Sequence, residues 1–259
     1  MQLFIHTEFS DSDQTIVFDQ DESKHMIKVL RHQRGDRISV TNSRGIMAQG
    51  VIVDANAKGC EVALDQFQHL PPPAQNIHIA IAPTKQMERL EWFVEKATEL
   101  GVTRITPVIS SHSERKNLRL DRLEKRRDAA LKQSLSAYGV QIDPLCRFET
   151  FINESRQNSN LYVAHCLRPI DEHLIQAPAP ENDSVVLIGP EGDFSPEEVA
   201  LAEKNGYRSI SLGHRRLRTE TAGIAAVQYL ITKPFMSNVS KSGHTHATSF
   251  LCHVHQFEP

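Results

Sequence analysis

Ser184-Val185-Val186-Leu187-Ile188-Gly189-Pro190-Glu191-Gly192-Asp193-Phe194-Ser195-Pro196-Glu197-Glu198 is the stretch whose reading decides the fold, together with Leu212-Gly213-His214-Arg215-Arg216-Leu217-Arg218-Thr219-Glu220-Thr221-Ala222 a little further on. Residues 184–188 are mostly β-branched, the composition of a short buried strand. The run empties into a loop with glycines at 189 and 192, where backbone can lie close to a ligand. Ser195-Pro196-Glu197-Glu198 opens a helix: serine caps it, proline takes the first turn, and Glu198 completes a capping box. Asn205-Gly206 stops that helix. Tyr207 to Leu212 reads as a second strand ending at Gly213, and a second helix is expected from Glu220 to Ile231. Two strands that end side by side in glycine loops form a cradle for a flat cofactor.

Working outward, the texture changes at Leu70-Pro71-Pro72-Pro73-Ala74, the one proline-rich stiff stretch. Residues 1–70 read as a first unit, 71–75 as a linker and 76–235 as a second unit. Before the linker the chain is punctuated into short strands at 15–18, 37–41, 46–53 and 60–64, spacing that suggests a small barrel. One helix interrupts them from about Asp21 to Arg31, with Met26, Val29 and Leu30 as its inward face. It carries Lys24, His25, Lys28, Arg31, His32 and Arg34 at one end of the barrel. After the linker, strand and helix alternate, the signature of a parallel sheet. Strands are expected at 76–82, 102–109, 142–148 and 161–166. Met87 to Leu100 is an amphipathic helix stopped by Gly101, and Arg119 to Ser136 is a charged one. Residues 236–259 show no amphipathic period and read as a disordered tail. His244, His246, Cys252, His253 and His255 in that tail lack a surrounding scaffold, so no metal site is assigned.

Composition narrows the class. The chain has 259 residues and a net charge of −3, so nucleic-acid contact must come from local patches. Four scattered cysteines without a CxxC fit a reducing cytoplasm, and neither a signal peptide nor a membrane span is legible. No GxGxxG and no GxxxxGK[ST] occurs, which argues against an NAD-dependent oxidoreductase on a doubly wound sheet.

The two strings quoted at the outset, taken whole, resemble the signature of the bacterial 16S ribosomal RNA (uracil-N3)-methyltransferase family, in the SPOUT or α/β-knot class. The resemblance runs from residue 1 to about 235. It implies a deep trefoil knot in which the quoted stretch is threaded, S-adenosylmethionine held bent in the knot, and a PUA-like RNA-binding barrel in front. It also implies 16S rRNA of the small ribosomal subunit as partner, and a homodimer built across the knot. Cofactor contacts are expected from His165, Cys166, Gly189, Gly192, Leu212, Gly213, Leu217 and Arg218. RNA contacts are expected from Lys24, Arg31, Arg34, Lys85, Arg89, Lys96 and Arg115. In one place the chain departs from the family, which commonly carries Glu-Gln-Ser/Cys-Gly-Arg where this sequence has Lys132-Gln133-Ser134-Leu135-Ser136. No role of that run is carried over.

Methyl transfer needs alignment of nucleophile, methyl carbon and sulfur, and management of one proton. Arg218 and Glu220 supply a cation and a carboxylate beside the expected pocket, and Glu191 is the third catalytic candidate. An ordinary ion pair with Thr219 as a helix cap would leave the same trace. A ribose 2′-hydroxyl acceptor and a non-catalytic RNA-binding module are the competing functions. The second predicts loss of the glycines at 189, 192 and 213, all of which are present.

Overall fold

The computed structural model describes residues 2–154, 159–177 and 183–241. The first unit holds β1 (Leu3–Ile5), β2 (Thr15–Val17), α1 (Gln20–Lys24), β3 (Arg37–Thr41), β4 (Ile46–Asp54) and β5 (Glu61–His69). These strands make one curled five-stranded sheet in the order β1-β3-β4-β5-β2. Its two edge strands do not pair. Side chains close the seam instead: the His6 Nε2–H donates to the carbonyl of Val17 at 3.2 Å, and the Phe4 and His6 rings stand edge-on to Phe18. Phe4, Phe9, Phe18, Met26, Val40 and Ile52 fill the inside.

The helix expected from Asp21 to Arg31 changes pitch. Asp19 caps α1, and His25–Val29 continue it as a π-helix in which the Leu30 N–H reaches His25 O at 3.0 Å. The wider turn rotates the residues beyond it about the helix axis. Met26 stays fully buried and Leu30 packs against the core, but Val29, expected inside, is 64% exposed.

The second unit holds β6 (Ile77–Ile81), α2 (Met87–Leu100), β7 (Arg104–Ile109), α3 (Leu120–Gln133), β8 (Gln141–Ile142), β9 (Cys146–Arg147), α4 (Phe148–Asn153), β10 (Asn160–Ala164), β11 (Ser184–Ile188), α5 (Pro196–Lys204), β12 (Arg208–Ile210) and α6 (Thr219–Lys241). All its strand pairs are parallel, in the order β12-β10-β11-β6-β7-β8, with β9 also on β7. Both faces are covered, so β6 and β11 are buried at every position. Alternate residues serve opposite layers: Ile77, Ile79 and Ile81 join the core under α2 and α6, while Ala80 joins the one under α4 and α5.

Two expectations fail here. The strand expected from 142 to 148 breaks into two short pieces and a helix. Asp143, between them, turns its carboxylate to Arg104, Thr106 and Gln141, and Pro144 has no N–H to give a ladder. The last helix runs on to Lys241, ten residues past the expected end, so positions 236–241 of the expected tail are helical. Pro234 lies inside it and removes one amide donor without ending it. The histidines and cysteine beyond lie outside the described residues. No helix among the described residues is long and apolar enough to cross a membrane.

The departure at residues 132–136 joins the two units. Lys132 Nζ donates to both carboxylate oxygens of Glu22 at 2.6 and 2.8 Å, and stands 5.9 Å above the Phe4 ring. Just beyond, Gly45 N–H donates to Ala137 O at 2.9 Å and Gly139 N–H to Ser43 O at 2.8 Å, while the Tyr138 hydroxyl reaches Leu70 O at 2.9 Å. Leu135, standing where the resemblance has glycine, adopts φ 53°. A side chain in the left-handed region costs roughly 1–2 kcal/mol, of which glycine's greater unfolded freedom returns about half. Leu135→Gly is therefore expected to stabilise the chain by up to about 1 kcal/mol. A urea midpoint that falls instead would show that packing of the half-buried leucine outweighs the strain.

Candidate functional site

The parallel register sets the site. Ala164 pairs with both Ile188 and Ile210, so β10, β11 and β12 end level. The loops that leave them enclose one cavity of about 950 Å³, lined by residues 164–171, 188–193 and 210–217 with Thr219 and Ala222. This is the crevice outside the carboxyl ends of the strands, where open parallel sheets bind ligands.

Hydrogen bonds tie the first two loops to each other and to their surroundings. Asp193 holds the first two together: one carboxylate oxygen accepts the Cys166 N–H at 2.7 Å and the other the Phe194 N–H at 2.8 Å, with Asp193 itself at φ 64°. The buried Thr219 hydroxyl donates to Gly189 O at 3.0 Å and so binds the start of α6 to the second loop. His112 Nδ1 donates to the carbonyls of Gly192 and Asp193 at 3.1 and 3.0 Å. Glu191 Oε1 accepts the Lys85 N–H at 3.0 Å. The third loop folds on itself, Gly213 N–H donating to Ser211 Oγ at 3.1 Å.

The glycines serve by two different means. A Cβ at Gly189 would stand 3.2 Å from the Phe194 ring and backbone nitrogen, a packing limit. At Gly213 a Cβ would meet nothing within 4 Å, but φ is 131°, which side chains rarely adopt. There the requirement is conformational.

His165, Cys166, Gly189, Glu191, Gly192, Leu212, Gly213 and Leu217 all line this cavity. His165 is more brace than ligand: Nδ1 accepts the Leu167 N–H at 3.3 Å, leaving Nε2–H to face Ser209 Oγ at 2.9 Å. Burial, the largest influence, lowers its pKa from 6.5 and keeps the ring neutral. Arg218 and Glu220 are not among the lining residues. The helix start places Arg218 exposed at the rim and turns the buried Glu220 toward α2, with Oε1 3.8 Å from Arg89 Nε and Oε2 without a hydrogen-bond partner.

The expected RNA contacts divide as well. Lys24, Arg31, Arg34 and Lys85 are exposed. Lys96 is held by Glu95 and Glu99 at 2.8 and 2.9 Å on α2, and Arg115 donates to the carbonyls of Thr84 and Lys85 at 3.1 and 2.7 Å. Sequence reasoning missed Asp193, Thr219 and His112 as ties between loops, and Arg168, Arg215 and Arg216 as cations of the lining. Asp193 was legible as an aspartate in a tight turn after glycine, a residue type that tolerates positive φ.

The parallel sheet with three looped edges around one cavity, preceded by a curled small sheet, is the fold of the α/β-knot (SPOUT) methyltransferases, as the solved relatives and family matches show. The chain belongs to the RNA methyltransferase family: the model of the RNA methyltransferase domain matches residues 71–231, and that of the RNA methyltransferase PUA domain residues 18–65. It is similar to the solved chain of a probable rRNA-methyltransferase from Porphyromonas gingivalis, with 37% identity over 92% of this chain and all of that one, and TM-score 0.83. A Legionella pneumophila protein solved in complex with the bound cofactor SAM is 26% identical over 88% of this chain and 96% of its own, with TM-score 0.79. Ribosomal RNA small subunit methyltransferase E of Aquifex aeolicus is 29% identical over 83% of this chain and 98% of its own length.

The neutral His165 makes a pH prediction. Its folded pKa lies below the unfolded value of 6.5, so its contribution is full above 6.5 and is lost as pH falls from there through the lower folded pKa. Urea midpoints should therefore drop from pH 7.5 to 5.5 by more in the wild type than in His165→Gln. Equal drops would place the ring's titration outside the fold's energetics.

Proposed function

We propose that the chain is an S-adenosylmethionine-dependent methyltransferase that methylates N3 of a specific uridine in 16S rRNA of the small ribosomal subunit, working as a homodimer. The observation that carries the reading is the cavity at the level ends of β10, β11 and β12, in a chain whose two units both match RNA methyltransferase families. Relatives named ribosomal RNA small subunit methyltransferase E support the RNA, and the SAM-bound Legionella relative supports the cofactor. The cavity fits such a ligand. About 950 Å³ lies within the usual range for small-molecule sites. Leu212 and Leu217 offer apolar walls to a purine, while Asp171 and Arg168, whose guanidinium also pairs with Glu203, offer opposite charges to an amino-acid zwitterion. Bound there, S-adenosylmethionine supplies a methyl group on a sulfonium leaving group.

The protein's own task is the acceptor's proton. Neutral uracil N3 keeps its lone pair in the imide system and attacks poorly, whereas the anion attacks well. Arg218, exposed between the lining residues Leu217 and Thr219, can swing over the cavity mouth and stabilise that anion. Glu220, the second residue of α6, keeps one buried carboxylate oxygen free of hydrogen bonds. Glu191 lines the cavity and is the alternative carboxylate.

The dimer rests on surface character. Trp92 on α2 is 44% exposed, and Ile224, Ala225 and Ile231 on the neighbouring α6 are only partly covered. Light scattering that returned only single-chain mass at micromolar concentration would remove the dimer.

The deciding experiment is mass mapping of 16S rRNA nucleosides after incubation with the protein and labelled cofactor. N3-methyluridine is expected; a 2′-O-methylated nucleoside would move the reaction to ribose, and no label would end the proposal. For mechanism, Arg218→Ala should lower the single-turnover rate about 10²-fold or more, with Arg218→Lys losing less because charge survives without the planar fork. If Glu220 is the base, Glu220→Gln should lose as much and recover partly at higher pH. Near-full rates in both Arg218→Ala and Glu220→Gln would transfer the role to Glu191.

A further inference from the structure

A second concavity of about 470 Å³ opens between the start of α2 and the segment leading into α3, lined by Lys85, Gln86, Arg115, Asn117, Arg119 and Arg122 among others. Its lining holds four cations against one acid, Glu88. The Lys85 N–H on Glu191 ties it to the first cavity. We infer that this groove is a subsite for backbone phosphate of the RNA strand beside the target nucleotide. The inference rests on the proposed methyltransferase reading and assigns a place to its substrate's backbone.

The cations differ in how firmly the protein already holds them. Arg115 is committed to two backbone carbonyls and shapes the wall. Arg122 is 2.6 Å from Glu91, a buried carboxylate shared with Arg126. Lys85 and Arg119, by contrast, pair with the exposed Glu114 and Asp121, at 2.9 and 2.8 Å. Exposed pairs of that kind are worth about 0–1 kcal/mol, so an incoming phosphate displaces them at small cost. The Arg119 fork already holds both oxygens of the exposed Asp121, through Nε at 3.2 Å and Nη2 at 2.8 Å, and a phosphate's paired oxygens would take that same geometry; Asn117 and Gln86 add neutral donors.

The first turns of both helices border the groove, and neither Gln86 nor Arg119 caps its helix with a side-chain hydrogen bond. Those amide ends add to the positive potential that the side chains create. S-adenosylmethionine carries no phosphate, so an anion groove that adjoins the cofactor cavity serves the other substrate. A strand whose base enters the cavity mouth past Glu191 leaves its sugar-phosphate chain over Lys85 and Arg119.

The test uses the full-length protein, a 16S rRNA fragment that the wild type binds, and titrations over a range of salt. In Lys85→Ala/Arg119→Ala the slope of log K against log salt should fall by about 1.4, roughly 0.7 for each phosphate no longer neutralised on single-stranded RNA. Calorimetric affinity for S-adenosylmethionine should stay within about twofold. Lys85→Arg/Arg119→Lys, which keeps both charges, should restore most of the slope, an outcome that mere misfolding would not give. An unchanged slope in the alanine variant, or the same loss in the charge-keeping variant, overturns the groove. Failure of the underlying reading looks different: the wild type would bind the fragment with a slope that depends on these residues yet leave it unmethylated.

Discussion

The site depends on strand ends that stand level. Ala164, Ile188 and Ile210 are lateral partners in one parallel ladder, and the residues after them, His165, Gly189 and Ser211, leave the sheet at the same height. A slip of one residue would turn every side chain of a strand to the other face and expose Val186 or Leu187 to the wrong layer. Register is therefore fixed by burial on both sides, and loop position comes with it. Asp193 and Thr219 then only lock together loops that the sheet has already assembled.

That division explains what the sequence disclosed. Strands buried on both faces are continuous apolar runs, so β6, β10 and β11 were legible, as were α2, α5 and the glycines at 189 and 213. Local pitch was not. Nothing in Asp21–Arg31 announces a π-turn, because the choice between i−4 and i−5 bonding is settled by what Met26 must reach inside the small sheet. The break at Asp143 was hidden for a similar reason, since its three partners lie on the strands β7 and β8 that it joins in space. Side-chain direction at the head of α6 was also invisible. Arg218 and Glu220 sit two apart, and on a helix that spacing sends them to different faces, one to the rim and one to α2.

The departure from the family's pattern at residues 132–136 is also a physical statement. Lys132 bonds Glu22 on α1, the helix that carries the exposed Lys24, and its ammonium lies over Phe4 of the same unit. The pair is largely shielded, with side-chain exposures of 27% and 19%, so it is screened less than the surface pairs around the second groove. Together with the hydrogen bonds from Gly45, Gly139 and Tyr138, it ties the basic helix to the unit that carries the cavity. Under the proposed function, an RNA that touched both places would have to match one spacing.

Glu220 concentrates the energetic question of the site. A carboxylate oxygen buried without a hydrogen bond costs about 1–3 kcal/mol, and an arginine nitrogen 3.8 Å from the other oxygen offsets only part of it. If the residue were there for stability alone, a glutamine or an apolar side chain would serve better at the same place. The cost is repaid if the free oxygen is used, and the chemistry adjoining this end of α6 is that of the cavity lined by its neighbour Thr219. Arg89 fits the same account: partly exposed on α2 and too far away for a firm hydrogen bond, it neutralises the carboxylate's charge without occupying the oxygen. The proposed roles, Arg218 at the rim for the acceptor's charge and Glu220 behind it for the proton, go with opposite burial: Arg218 is exposed and Glu220 is buried.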